Sequence, residues 1–241
     1  AKLPLPWDNI YLSRWYEFLQ ALSQKYSKHS QFLAIALAGP TSVSAEMSLP
    51  NDNSDMKKWK TIGYKPSLYI NAWKEVIVKY SEIFSQQYHS LALYPGLAIN
   101  EQGQTDNSER KNTRTKIIEL AIANDSLNIA LQTSGLHAGV EDDNGEGYEI
   151  VRSYNNIITT GFQMSTSATR KPAKMGDAQC SARALKLSID KGIAPNISKN
   201  TIVYLEIYEP DILNSHIQNI LEYASQVLLG IDVQDPTLSC N

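Results

Sequence analysis

The sequence predicts an α/β fold of the TIM (β/α)8-barrel kind, with about five strand–helix units present in this chain. Three observations predict it. Five short apolar runs are bounded by turn signals, as fully buried parallel strands are. Helical patterns lie between most of them. The excess length falls after the strands, at 39–66, 95–107 and 132–147, where a barrel builds the loops of its site. A doubly wound open sheet fits the same alternation, but the Gly-rich phosphate loop usual after one of its strands, G-x-G-x-x-G or G-x-x-x-x-G-K-S/T, is missing.

The elements follow in order. Asp8 caps a helix whose apolar face runs Leu12, Trp15, Leu19, Leu22 and Tyr26, a helical spacing. The first strand is FLAIALA at 32–38, and Ser67 opens a helix with Trp73, Val76, Ile77, Tyr80 and Phe84 on one side. SLALY at 90–94 is the second strand, and Ser108 starts a helix through Ile117, Ile118 and Ala121 that ends near Asn124. LNIAL at 127–131 is followed by a short helix at 149–156. ITTGFQM at 158–164 precedes a helix capped by Asp177 that stops at Gly192, a glycine C-cap. TIVYLEI at 201–207 leads to a last helix, from Asn214 to Gly230. Residues 1–230 read as one partial barrel domain and 231–241 as a tail or linker.

Composition narrows the function classes. The 241 residues carry a formal net charge of −3, with 22 basic and 25 acidic side chains and no long basic block, so nucleic acid is not an expected partner. No apolar run approaches the roughly 18 residues of a membrane helix, so no membrane span is expected. Cys180 and Cys240 match no zinc spacing, and the four histidines are scattered, so no metal or other cofactor is expected. Tyrosine is abundant, 13 with 4 Trp against 4 Phe, and rings with a polar handle suit sugar-stacking surfaces as well as cores. The opening AKLPLPWD has no initiator Met and no signal-peptide core, which reads as a processed or truncated start.

The run LPLPWDNIYLSRWYEFLQALSQKYSKHSQFLAIALAGPTSVSAEM resembles the middle of (β/α)8 glycoside hydrolases of the cellulase and β-galactosidase clan. There a helix of the form W-x-x-F-L-x-x-L-x-x-x-Y leads into the fourth strand, which the acid/base Glu follows. The likeness continues through Trp59, Gly63-Tyr64 and Ala72-Trp73 to about residue 229. It implies that the five runs are barrel strands four to eight. The first three strands are then expected upstream or from another chain, and the substrate is expected to be an oligo- or polysaccharide. A secreted or extracytoplasmic setting is implied by the likeness only. Two departures bear on activity. The clan's Asn-Glu-Pro aligns with Ala38-Gly39-Pro40, and its second Glu, at the end of strand seven, aligns with Gln163.

Glycoside cleavage needs a carboxylic acid at the leaving oxygen and a second carboxylate, about 5–5.5 Å apart for retention or 6.5–9.5 Å for inversion. Glu46, in a Gly/Pro/Ser-rich loop between Ala45 and Met47, is the expected general acid/base. Its other reading is a loop-stabilising Glu. Glu206 is the expected second carboxylate: alternation puts Tyr204, Glu206 and Tyr208 on the face opposite Val203, Leu205 and Ile207. Strands four and eight face each other across a barrel, so this pair is expected to span the inverting distance. Tyr94, Gln132, His137, Gln163 and Tyr208 are expected to hold saccharide hydroxyls, with Trp59 and Tyr64 as stacking platforms or core. Glu101 and Glu209 read as solvated loop acids, and Glu141–Glu146 as a solvated turn that fails the calcium-loop spacing. Asn124 and Asn196 stand in glycosylation sequons. The alternative function is an inactive barrel that binds saccharide or a protein partner. An unrelated open sheet, complete in itself with structural acids, is the third reading.

Overall fold

The computed structural model describes residues 4–41, 46–124, 128–140, 146–193 and 202–240. The chain alternates helix and strand. It has α1 (Asn9–Tyr26), β1 (Ala34–Ala36), α2 (Asn53–Thr61), α3 (Pro66–Ile83), β2 (Tyr88–Ala92), α4 (Ser108–Ile122) and β3 (Ile129–Leu136). These are followed by α5 (Glu146–Tyr154), β4 (Thr159–Met164), α6 (Pro172–Met175), α7 (Ser181–Ile193), β5 (Ile202–Glu206), α8 (Glu209–Ile212) and α9 (Gln218–Leu228). The strands form one parallel sheet in the order β1-β2-β3-β4-β5. That order contains no reversal, hence no topological switch point of the kind a doubly wound sheet has.

By internal contacts the chain divides into two compact units, 1–131 and 132–241. The first is built around α3, whose Tyr69, Ala72, Trp73, Val76, Ile77 and Tyr80 are all buried. Asp8 caps α1 as its position predicts, accepting the Tyr11 N–H at 2.8 Å. From α1 the Trp15 indole donates to the Ala38 carbonyl at 2.9 Å, and Tyr11 donates to the Gly39 carbonyl at 2.9 Å. Gly39 has φ +134°, and a Cβ there would lie 3.1 Å from the Trp15 ring, so the chain leaves β1 under α1 at a residue that favours glycine. It returns to the same line at Glu46, which bridges Ala92 in parallel, with the Met47 N–H donating to the Ala92 carbonyl at 3.0 Å. Glu46, expected in a loop, is therefore backbone-paired to β2.

Helix α2 lies within the stretch expected to be loop. Its only buried residue is Trp59, so it carries no apolar stripe. The cue to it was the cap: Asp52 accepts from the Ser54 and Asp55 N–H groups at 2.7 and 2.8 Å.

In the second unit the helix side of the sheet is apolar. Phe162, Met164, Leu136 and α7's Leu185 and Ile189 are fully buried or nearly so, and a Cβ on Gly192 would lie 2.6 Å from Leu136, 3.3 Å from Leu205 and 3.6 Å from Phe162. The strand–helix contact therefore closes only over a glycine. Residues 231–240, read as a tail or linker, run back along this unit. A Cys180–Cys240 disulfide joins them to α7's N-terminal end, Lys186 pairs with Asp235 at 2.9 Å, and the Asn219 amide donates to the Thr237 carbonyl at 2.6 Å. The acidic turn at 141–145, the Asn196 sequon and the expected strand starts at 127 and 201 lie outside the described residues.

Candidate functional site

A connected set of polar side chains lies on a strand face of the second unit. Gln163 on β4 and Glu206 on β5 are register partners, and the Gln163 amide donates to one Glu206 oxygen at 2.7 Å. From β3, the Gln132 amide donates to the other Glu206 oxygen at 3.0 Å. Tyr204 in turn donates its hydroxyl to the Gln132 carbonyl oxygen at 2.8 Å. Gln132 is only 4% exposed, whereas Glu206 is open to solvent.

Local sequence explains why these four meet. Tyr204 is the register partner of Gly161, and a Cβ on Gly161 would collide with the tyrosine ring. The glycine is the gap through which a β5 side chain crosses β4 to reach β3. On β3, a Cβ at Gly147 of α5 would collide with Thr133. Thr133 therefore points to the helices and Gln132 to the opposite face. Gly135, with φ +130°, then breaks the alternation and lets Leu136 return to the buried side. His137 follows that break, half-buried, and its carbonyl accepts the Val140 N–H at 3.2 Å. Tyr208 sits at the start of α8 with 40% of its surface exposed.

A second cluster holds the loop after β4. Asp211, wholly buried in α8, accepts from the Ser167 hydroxyl at 2.9 Å, the Ala168 N–H at 2.9 Å and the Thr169 N–H at 2.7 Å. Sequence reasoning missed it. Its signal was an Asp one residue beyond Glu209-Pro210, in the first turn of a short helix that was not foreseen.

The first unit holds the remaining candidates. The bridge to Ala92 puts Glu46 on the strand face of Ser90, while Met47 is wholly buried on the other side, its carbonyl accepting the Tyr69 hydroxyl at 2.8 Å. Tyr94 lies just past β2 and is exposed. Trp59 and Tyr64 are 7% and 1% exposed and belong to an aromatic cluster. Trp7 packs on Trp59 and Tyr64 at centroid distances of 6.2 and 5.8 Å, and Tyr64 packs on Tyr69 at 6.3 Å. A stacking platform needs an open ring face, so here these two rings serve packing. Burial pushes the Tyr64 and Tyr69 hydroxyls well above their ordinary range, and Tyr80 up to about 12. Glu101 is more than a solvated acid, because its two oxygens accept the Ser67 N–H at 2.7 Å and the Ser67 hydroxyl at 2.9 Å, capping α3.

Among the described residues no group of three His, Cys, Asp or Glu side chains is placed to hold a metal ion, and no helix is long and apolar enough to cross a membrane. Comparison with protein-family models, curated proteins and solved structures found no match to this chain.

Proposed function

We propose that the protein is a glycoside-hydrolase-like (β/α)8 segment that binds an oligo- or polysaccharide at the Tyr204–Gln132–Glu206–Gln163 network without cleaving it. The observation that carries this is the amide pair on Glu206. An accepting carboxylate held at both oxygens by glutamine amides is oriented like a sugar-hydroxyl acceptor. The register partner of Glu206 is an amide, which can neither deliver the proton nor attack the anomeric carbon. The sequential strand order, with β1 and β5 as the sheet's outer strands, supports a barrel segment completed by strands from upstream residues or another chain. The disulfide supports an oxidising, extracytoplasmic compartment.

Hydrolysis is the second reading, favoured by one observation. Glu46 is fixed by backbone pairing to β2 rather than loose in a loop, as a general acid would have to be. One experiment separates the two readings: binding of cello-, xylo- and chito-oligosaccharides by ligand-observed NMR, run beside an assay of reducing-end release. Binding that Glu206→Gln weakens about tenfold or more, with no release of reducing ends, is the expected result. Release that disappears in Glu46→Gln would establish hydrolysis instead. Absence of binding to every glycan would end the saccharide reading.

A further inference from the structure

We infer that the Glu206 site takes a saccharide bearing a protonated amine, an amino sugar of the glucosamine type, in preference to a neutral one. The inference rests on the saccharide reading above and names the class of sugar. Both hydrogen bonds of Glu206 come from neutral amides, at 3.0 and 2.7 Å, and among the described residues no Lys, Arg or His pairs with it. Asp177 and Asp190 of the same unit differ in this, pairing with Arg183 at 2.8 Å and Lys186 at 2.6 Å, and Asp211, which like Glu206 has neutral donors, is wholly buried where Glu206 is open to solvent. The negative charge of Glu206 is oriented by the fold, and among the described residues no cation sits beside it.

The surrounding atoms repeat the pattern. Gln163 gives one of its two amide N–H groups to the carboxylate, and its carbonyl oxygen is left as an acceptor with no donor among the described residues. On Gln132 the corresponding oxygen is already taken by the Tyr204 hydroxyl. The open side of the site therefore presents the spare lone pairs of two carboxylate oxygens and one amide oxygen. An ammonium group has three N–H donors and no acceptor, the complement of such a surface. A neutral hydroxyl offers one donor and brings a lone pair of its own. A hydroxyl on the carboxylate also makes a charge-assisted bond, but only the ammonium adds a full opposite charge and its Coulomb attraction, so the amine gains more than the hydroxyl does. Tyr208, two residues beyond Glu206 and 40% exposed, offers a ring face suited both to a sugar ring and to a nearby cation.

The test uses the full chain and three β-1,4-linked tetramers: glucosamine, N-acetylglucosamine and glucose. Affinities are measured by calorimetry under mildly acidic conditions that keep the sugar amine protonated. The glucosamine tetramer is expected to bind at least about tenfold more tightly than the other two. That advantage should shrink with added salt and vanish in Glu206→Gln. Gln163→Met, which removes one acceptor and keeps the charge, should reduce the advantage only in part, and it serves as the probe if Glu206→Gln does not fold. Equal affinities for all three tetramers would overturn the amino-sugar inference and leave the saccharide reading standing. So would an advantage that persists in folded Glu206→Gln. If none of the three binds, the saccharide reading fails and this inference falls with it.

Discussion

The two units use the same kinds of side chain for different ends. All four tryptophans lie in the first unit. There, Trp7, Trp59, Tyr64, Tyr69 and Trp73 form a chain of rings, each packed on the next. In the second unit the sheet carries an aromatic that faces polar groups, Tyr204, and its hydroxyl works in a network with two glutamines and a glutamate. The lesson is that a tyrosine-rich composition is not evidence of a binding surface by itself. Tyr69 also finds a polar partner, the Met47 carbonyl; what sets Tyr204 apart is a glycine strand neighbour that lets its ring cross and its hydroxyl bond a side chain on the polar face.

The sharpest way to break this comparison is alkali. Tyr64, Tyr69 and Tyr80 are held by burial above their ordinary value of 10.0, so the unfolded chain loses those protons first. Their contribution to stability is complete below pH 10 and is lost as pH rises from about 10 to 12, by about 1.4 kcal/mol per group per pH unit. In the second unit Tyr223 is raised to about 12, chiefly by burial and then by its hydrogen bond to Asp190. Tyrosinate absorbance combined with hydrogen exchange should show the first unit opening before the second. The reverse order would refute the contrast.

A smaller effect isolates the second unit. Asp211→Ala strands three donors, two of them backbone N–H groups, and should cost about 3 kcal/mol. Faster amide exchange at Ala168 and Thr169 should accompany the loss, and unchanged exchange there would show that Asp211 does not hold the loop. The smallest effect sharpens the role of Tyr204. Tyr204→Phe keeps the ring over Gly161 but removes the hydrogen bond to Gln132, for a loss of about 1 kcal/mol in thermal unfolding. Gly161→Ala should cost more than that, because its Cβ would meet the ring itself.

Much of the fold was legible in the sequence. Every expected apolar run contains or overlaps a strand, because buried parallel strands are read by unbroken hydrophobicity. The cap at Asp8 places a helix start correctly, whereas Asn214 caps a 3-10 turn, Ser215–Ile217, and α9 starts after it at Gln218. Helices α2, α6 and α8 escaped because periodicity needs length and an apolar stripe. Two of them are four residues long, and the third buries one side chain. Of the candidate site, the position of Glu206 on a polar face was legible from alternation. Its amide partners were not read as a set, because 74 and 43 residues separate them from it and only register brings them together. For Trp59 and Tyr64 residue type left surface and core equally open, and packing decides for core.

The disulfide has a mechanical consequence. Cys180 and Cys240 close a covalent ring that contains α7, β5, α8 and α9, with a sequence separation of 60. A force applied beyond Cys240 passes straight through the sulfur bridge to the residue before α7. The enclosed segment is bypassed and bears no tension. If the chain is pulled from that side, the ring is cargo rather than rope: β5 and the Glu206 it carries stay slack until the bridge itself is cut.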